Sequence, residues 1–113
     1  QVRLKLGELA TEAEVGRLVA YRTVWLQSRG EVPNHEASIG KVWMAYLGIK
    51  VANIGVNLMS NYGQLTPGSK WAQLAGRVEE SYLLSLSGPI AGGTGEIQRT
   101  VIATRGLGLP RGE

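Results

Sequence analysis

The sequence predicts an all-α fold, a helical up-and-down bundle, and three observations lead there. Apolar residues recur at helical spacing over two long stretches and two shorter ones. Glycine and proline separate those stretches, and none alternates apolar with polar residues long enough to make a sheet strand. With 113 residues the chain is expected to form one domain, spanning positions 1–113. That length ordinarily buries roughly two-thirds of the unfolded surface, enough for a core without cross-links.

The first helix is expected over Val2 to Ser28, with "RGEVP" ending it at Gly30 and Pro33. Val2, Leu6, Leu9, Ala13 and Ala20 follow helical spacing, and Val15, Leu18, Val19, Trp25 and Leu26 form an adjoining stripe. At 1.5 Å per residue such a helix is about 40 Å long and needs neighbours to cover it. The second starts with Asn34 as N-cap and Glu36 in its first turn. Ile39, Val42, Trp43, Tyr46 and Ile49 mark one face, and Leu47, Val51, Ile54 and Leu58 another, so this helix is expected at the centre. Gly40, Gly48 and Gly55 recur along it. Each costs up to ~1 kcal/mol relative to alanine, a cost that close approach of a neighbouring backbone offsets. After a break at "SNYGQLTPGS", a third helix is expected from about Lys70 to Leu86, carrying Trp71, Leu74, Val78 and Tyr82 at spacings of three and four. A fourth, shorter one runs from Thr94 to about Arg105, with Ile97, Val101 and Ile102 as its apolar residues.

Composition removes several kinds of chemistry. There is no cysteine, which excludes disulfides, thiolate metal sites and thiol catalysis, and fits a reducing, cytoplasmic setting. His35 is the only histidine, so neither a histidine zinc cluster nor a Ser-His-Asp triad with a spare partner is expected, and no metal site is assigned. The net charge of +3 is a thin excess that lacks the basic stripe with aromatics of a nucleic-acid module. No segment is expected to reach the ~20 apolar residues of a membrane span, because Lys41 and Lys50 interrupt the longest tract. Trp25, Trp43 and Trp71 are expected as core anchors, and His35 at the surface. Glu79 and Glu80 are adjacent, so on a helix they point about 100° apart and cannot flank one bond. The opening "QVRLKLGELA" lacks a methionine and begins in mid-pattern, as expected of a piece of a longer protein.

The C-terminal stretch "GPIAGGTGEIQRTVIATRGLGLPRG" holds seven glycines and two prolines around a short helix. Thr94 suits the N-cap, where its hydroxyl accepts from an otherwise unpaired amide. Free amides before a helix start can receive a phosphate or a developing negative charge, although Glu96 in the first turn competes for the same donors. The run is not a P-loop, since no Gly-Lys-Ser/Thr follows, and no strand precedes it as a dinucleotide fingerprint requires.

The order and spacing of "PIAGGTGEIQRTVIATRGLGLPR", Pro89 to Arg111, resemble the end of a bacterial acyl-CoA dehydrogenase of actinobacterial type. "LATEAEVGRLVAYR" and "PNHEASIGKVWMAYLG" look like that family's preceding helices. The likeness extends over essentially the whole chain and is most specific at Ala91 to Arg99 and Gly106 to Arg111. It implies the C-terminal four-helix-bundle domain of the acyl-CoA dehydrogenase fold, with the bundle's first helix just upstream of Gln1.

The family's reaction is α,β-dehydrogenation of an acyl-CoA thioester, in which a glutamate removes the α-proton and FAD takes the β-hydrogen. In many members that glutamate belongs to a Tyr-Glu-Gly-Thr run, whose Gly-Thr matches Gly93 and Thr94. The base position is therefore occupied by Gly92, and the resemblance implies no catalytic side chain here, so the piece alone is expected to be inactive. Either a glutamate on the first helix of the bundle supplies the base, as in one branch of the family, or the chain belongs to a non-catalytic subunit paired with a catalytic one. Some steroid-degrading relatives are hetero-oligomers of that kind. The Gly92 amide is implied as a donor to the thioester carbonyl. Thr94 and Glu96 match FAD-contacting positions. A second FAD contact, supplied across a subunit interface by a Gln-Val-His-Gly-Gly-Tyr-Gly run, corresponds to "NLMSNYG", with Asn57, Ser60, Asn61, Tyr62 and Gly63 as its candidates. Only Tyr62 and Gly63 match; Ser60 and Asn61 replace the paired glycines. A homo- or hetero-oligomer and an acceptor such as electron-transfer flavoprotein are the implied partners, with no role for nucleic acid or membrane.

Overall fold

A computed structural model describes residues 1–111. Helix α1 spans Val2–Ser28 and α2 spans His35–Met59. A 3-10 turn over Ser60–Gln64 and another over Gln73–Gly76 lead to α3, Arg77–Ser85. Helix α4, Gly95–Val101, passes into a π-helical turn at Ile102–Gly106. Among the described residues there is no strand, and the all-α prediction holds. Its central element is α2, which packs against α1, α3, α4 and the first 3-10 turn.

Helix α1 has the predicted bounds. It stops where Gly30 takes a positive φ of 78° and its amide returns to the Gln27 carbonyl. Two polar contacts tie its middle to α2: the Trp43 indole donates to the Glu12 carbonyl at 2.8 Å, and the Lys50 ammonium meets the Glu12 carboxylate at 2.8 Å. Asn34 occupies the N-cap position of α2, but its side chain does not cap. Its Oδ1 accepts from the Arg105 guanidinium at 2.8 Å, joining the start of α2 to the end of the chain. Glu36, in the first turn, is buried. Its carboxyl is held below the ordinary carboxylate range first by its own main-chain amide, then by His35, the Asn34 amide and Arg22, against the opposing effect of burial. His35 is half-buried and its ring rests against Gly106, so it is less a surface residue than expected.

The third helix departs most from expectation, beginning at Arg77 rather than near Lys70. Leu74 and Ala75 adopt left-handed φ values of 51° and 56°, and Gly76 one of 80°. Trp71 and Leu74 therefore leave the helical stripe assigned to them. The cause lies at Gly76, which runs so close to the chain before it that a Cβ there would sit 2.8 Å from Pro67 Cα. Three consecutive left-handed residues turn the chain onto α2, and helix propensity yields to that turn.

The glycines along α2 do not meet a neighbouring backbone. A Cβ at Gly40 would touch a Val19 methyl at 3.5 Å, one at Gly55 a Val78 methyl at 3.7 Å, and one at Gly48 nothing within 4 Å. By length and composition, the stretch 35–64 is apolar enough to cross a membrane, which overturns the expectation that no segment approaches a span. Its Lys41 and Lys50 side chains bond to the chain's own loop and to α1.

The three tryptophans are solvent-exposed rather than core anchors, and only Leu26 and Leu47 are buried among the large apolar side chains described. The accessible surface is 8084 Å². A self-contained monomer of this mass would show about 6,000 Å². The radius of gyration is 17.3 Å, against about 13 Å for a compact domain of this length. Two long helices and two short ones make a frame whose apolar faces are only half covered.

Candidate functional site

The glycine-rich loop crosses α2 near Lys41–Tyr46. A Cβ on Gly88 would lie 3.7 Å from Ala45 Cα, and one on Gly95 3.0 Å from the Tyr46 hydroxyl. The Arg99 guanidinium stacks over the Tyr46 ring at 5.1 Å. Small residues at both ends of the loop thus let it lie flat on the helix. The Ile90 and Ala91 amides return to the Ser87 carbonyl, and the Gly95 amide reaches the Pro89 carbonyl at 3.0 Å. Thr94 caps α4 as predicted, its hydroxyl accepting from the Ile97 amide at 3.4 Å.

At the crest stand Gly92 and Gly93, with φ of 69° and 97°. Both values favour glycine, and a Cβ on Gly92 would meet nothing within 4 Å. Among the described residues the amides of Gly92, Gly93 and Thr94 find no backbone acceptor. From Gly88 to Thr94 no side chain can take up a proton. This loop can therefore offer donors and space but no base. Glu96 lies exposed just behind it. Its carboxyl is lowered chiefly by its own amide, and next by the Thr94 side chain.

Two polar side chains hold the loop, and sequence reasoning missed both. The Lys41 ammonium donates to the Gly93 carbonyl at 2.7 Å and to the Gly88 carbonyl at 3.1 Å. The Gln98 side-chain amide donates to the Gly92 carbonyl at 3.2 Å. The usable signal was a lysine sharing the Ala45 and Gly48 face of a mostly apolar helix, where a charge needs a partner.

The second group of candidates lies at the far end of α2. From Lys41 to Asn57 the helix axis covers about 24 Å, so this chain does not bring the two groups together. The Asn57 amide is engaged locally, donating to the Asn53 carbonyl at 2.8 Å. Ser60 has φ 52°, a backbone conformation suited to the glycine it replaces. Gly63 is buried, and a Cβ there would lie 2.7 Å from the Val56 carbonyl oxygen, so its own chain already requires a glycine. Asn61 and Tyr62, with Leu65 and Trp71, line an open cleft of about 400 Å³.

Residues 1–107 match the model of the acyl-CoA dehydrogenase C-terminal domain. The chain belongs to the acyl-CoA dehydrogenases. This C-terminal domain is 32% identical over 114 residues to acyl-CoA dehydrogenase FadE26 of Mycobacterium tuberculosis, covering 97% of the chain and 28% of that protein. The solved steroid acyl-CoA dehydrogenase Tcur3481-Tcur3483 superposes with a TM-score of 0.91 at 27% identity, over 98% of this chain and 29% of the other. The ChsE4-ChsE5 complex from M. tuberculosis gives a TM-score of 0.87 at 31% identity, with the same coverage of 98% and 29%. The chain thus spans less than a third of the length of these relatives.

Both edges of the acyl-CoA dehydrogenase domain are open and polar. The loop carries unpaired main-chain donors beside the Thr94 hydroxyl, and the far cleft carries an exposed aromatic ring and an amide. Neither encloses a ligand by itself.

Proposed function

We propose that this domain serves an FAD-dependent acyl-CoA dehydrogenase, framing the thioester end of the site with the Gly88–Thr94 loop. The observation that carries this reading is the crest of that loop. Left-handed glycines there leave main-chain donors unpaired, next to open space, on a loop with no side chain of its own to take up a proton. The Gly92 amide donates to the thioester carbonyl, where negative charge grows as the α-proton leaves. One such preorganised donor is worth about 3 kcal/mol of transition-state stabilisation. When bound, FAD accepts the β-hydrogen. Thr94 and Glu96 contact it in one chain, and Asn61, Tyr62 and the Ser60–Gly63 turn do so from a neighbouring chain. The α-proton goes to a carboxylate outside these 113 residues. Lacking a side chain, position 92 leaves room for a bulky acyl group, and the likeness to steroid acyl-CoA dehydrogenases supports a steroid-type thioester as substrate. Electron-transfer flavoprotein or a similar carrier would serve as the electron acceptor, in a cytoplasmic setting.

A second reading makes the chain part of a non-catalytic subunit whose bundle serves assembly. The absent base and the locally engaged Asn57 favour it, as does the likeness to a two-component complex. Expressing the full-length protein with its missing domains, and with any co-encoded partner subunit, separates the two. Bound yellow flavin in this subunit's own site, with dye reduction by a steroid-type acyl-CoA, is expected on the first reading. An assembly that stays colourless and inert with straight-chain, branched and steroid thioesters overturns it.

A further inference from the structure

Lys41 reaches the loop from the middle of α2, and what it grips is unusual. Its ammonium donates to two main-chain carbonyls, those of Gly88 and Gly93, at opposite ends of the glycine turn. Among the described residues no carboxylate lies within ion-pairing distance of it. The side chain is only partly exposed, so its charge is directed at the two carbonyl dipoles and not at solvent.

The planarity of the peptide bond gives this grip a direction. In a trans peptide the C=O and the following N–H point to opposite sides of one rigid plane. Holding the Gly93 carbonyl down on Lys41 therefore aims the Thr94 amide up and away from α2. Gln98 does the same one peptide earlier. It holds the Gly92 carbonyl at 3.2 Å, so the Gly93 amide turns away from Gln98. Without these two donors nothing in the covalent chain would fix those planes, because consecutive glycines rotate freely about φ and ψ. A flipped plane would present a carbonyl oxygen, which repels a developing oxyanion, where a donor is needed.

The geometry points to Lys41 as a positioning residue that aims the Thr94 amide and pins both ends of the turn carrying the Gly92 amide, and so preorganises the donors facing the thioester, with Gln98 as its assistant at the Gly93 amide. The catalytic half of this statement rests on the function proposed above; the structural half does not.

The test uses the full-length protein in its native assembly, with Lys41→Met, Lys41→Arg and Gln98→Ala variants. Amide hydrogen exchange over residues 88–96 reads the clamp directly. Steady-state kinetics with the acyl-CoA that the wild type turns over reads its consequence. Lys41→Met is expected to speed exchange in this segment at least ~10-fold while leaving α1 unchanged. It should lower kcat about 10- to 100-fold with KM within about threefold, as misplaced donors do. Lys41→Arg, which can still donate to both carbonyls, is expected to recover most of both losses, and Gln98→Ala to give a smaller effect of the same sign. Unchanged exchange in Lys41→Met overturns the clamp. Faster exchange with unchanged kcat overturns the positioning role. If Lys41→Met does not fold, Lys41→Gln and Gln98→Ala carry the same comparison. A wild-type assembly without flavin or turnover defeats the proposed function, and the exchange measurement still decides whether Lys41 holds the loop.

Discussion

At position 92 the loss of a side chain and the demand of the backbone coincide. The loop needs φ of 69° there, which glycine meets freely, and the resulting crest leaves the Gly92, Gly93 and Thr94 amides without a backbone acceptor among the described residues. What remains is donor chemistry, which depends on where peptide planes point. Residue-scale electrostatics also govern the start of α2. The Glu36 carboxyl lies below its ordinary value of 4.5, so the unfolded chain binds a proton at higher pH than the folded one. Its stabilisation is fully present above that ordinary value and is lost as pH falls through the lower folded value. Thermal melts of the assembled protein are expected to drop in midpoint below about pH 4.5. Glu36→Gln should flatten that acid limb while lowering the neutral-pH midpoint. An acid limb parallel to that of the wild type would remove Glu36 from the explanation.

Among the elements, α3 shows most clearly how packing overrides periodicity. Trp71, Leu74, Val78 and Tyr82 are spaced as on a helix, yet the helix begins only at Arg77. The turn before it depends on Gly76, whose φ of 80° and contact with Pro67 leave no place for a Cβ. Gly76→Ala adds a steric clash to left-handed strain, and its expected cost exceeds about 2 kcal/mol. Urea denaturation of the assembled protein measures it; a loss under 0.5 kcal/mol, about the scatter of surface substitutions, would mean that the turn can reopen. Helix α2 carries the opposite lesson. Its two apolar faces do announce a central helix, and α1, α3 and α4 do surround it. Its recurring glycines, however, face methyl groups or open space.

Taken whole, the chain exposes about 2,000 Å² more than its mass calls for, more than twice the ~800 Å² that each partner gives to a standard protein interface. Val15, Leu18, Trp25, Leu58, Trp71 and Leu84 are among the exposed apolar residues, spread over α1, α2 and the α3 region. Patches of that kind mark surfaces that other protein normally covers. As a separate polypeptide, residues 1–113 are therefore expected to self-associate and to lack dehydrogenase activity. Sedimentation velocity at high micromolar concentration checks the first expectation. A single monomeric species would imply that the exposed faces are tolerated by water as they stand.

The sequence by itself determined the helical class, the bounds of α1, the Thr94 cap and the family, because periodicity, capping chemistry and a contiguous motif are local and survive without neighbours. Tertiary structure alone decided where α3 starts, that the tryptophans lie outside the core, and that the two candidate groups sit at opposite ends of α2. It alone also made Lys41 and Gln98 the holders of the loop. Each of these depends on which residues meet across long separations in the chain. A lysine at position 41 acquires its role only when carbonyls some fifty residues later, at Gly88 and Gly93, are folded onto its ammonium.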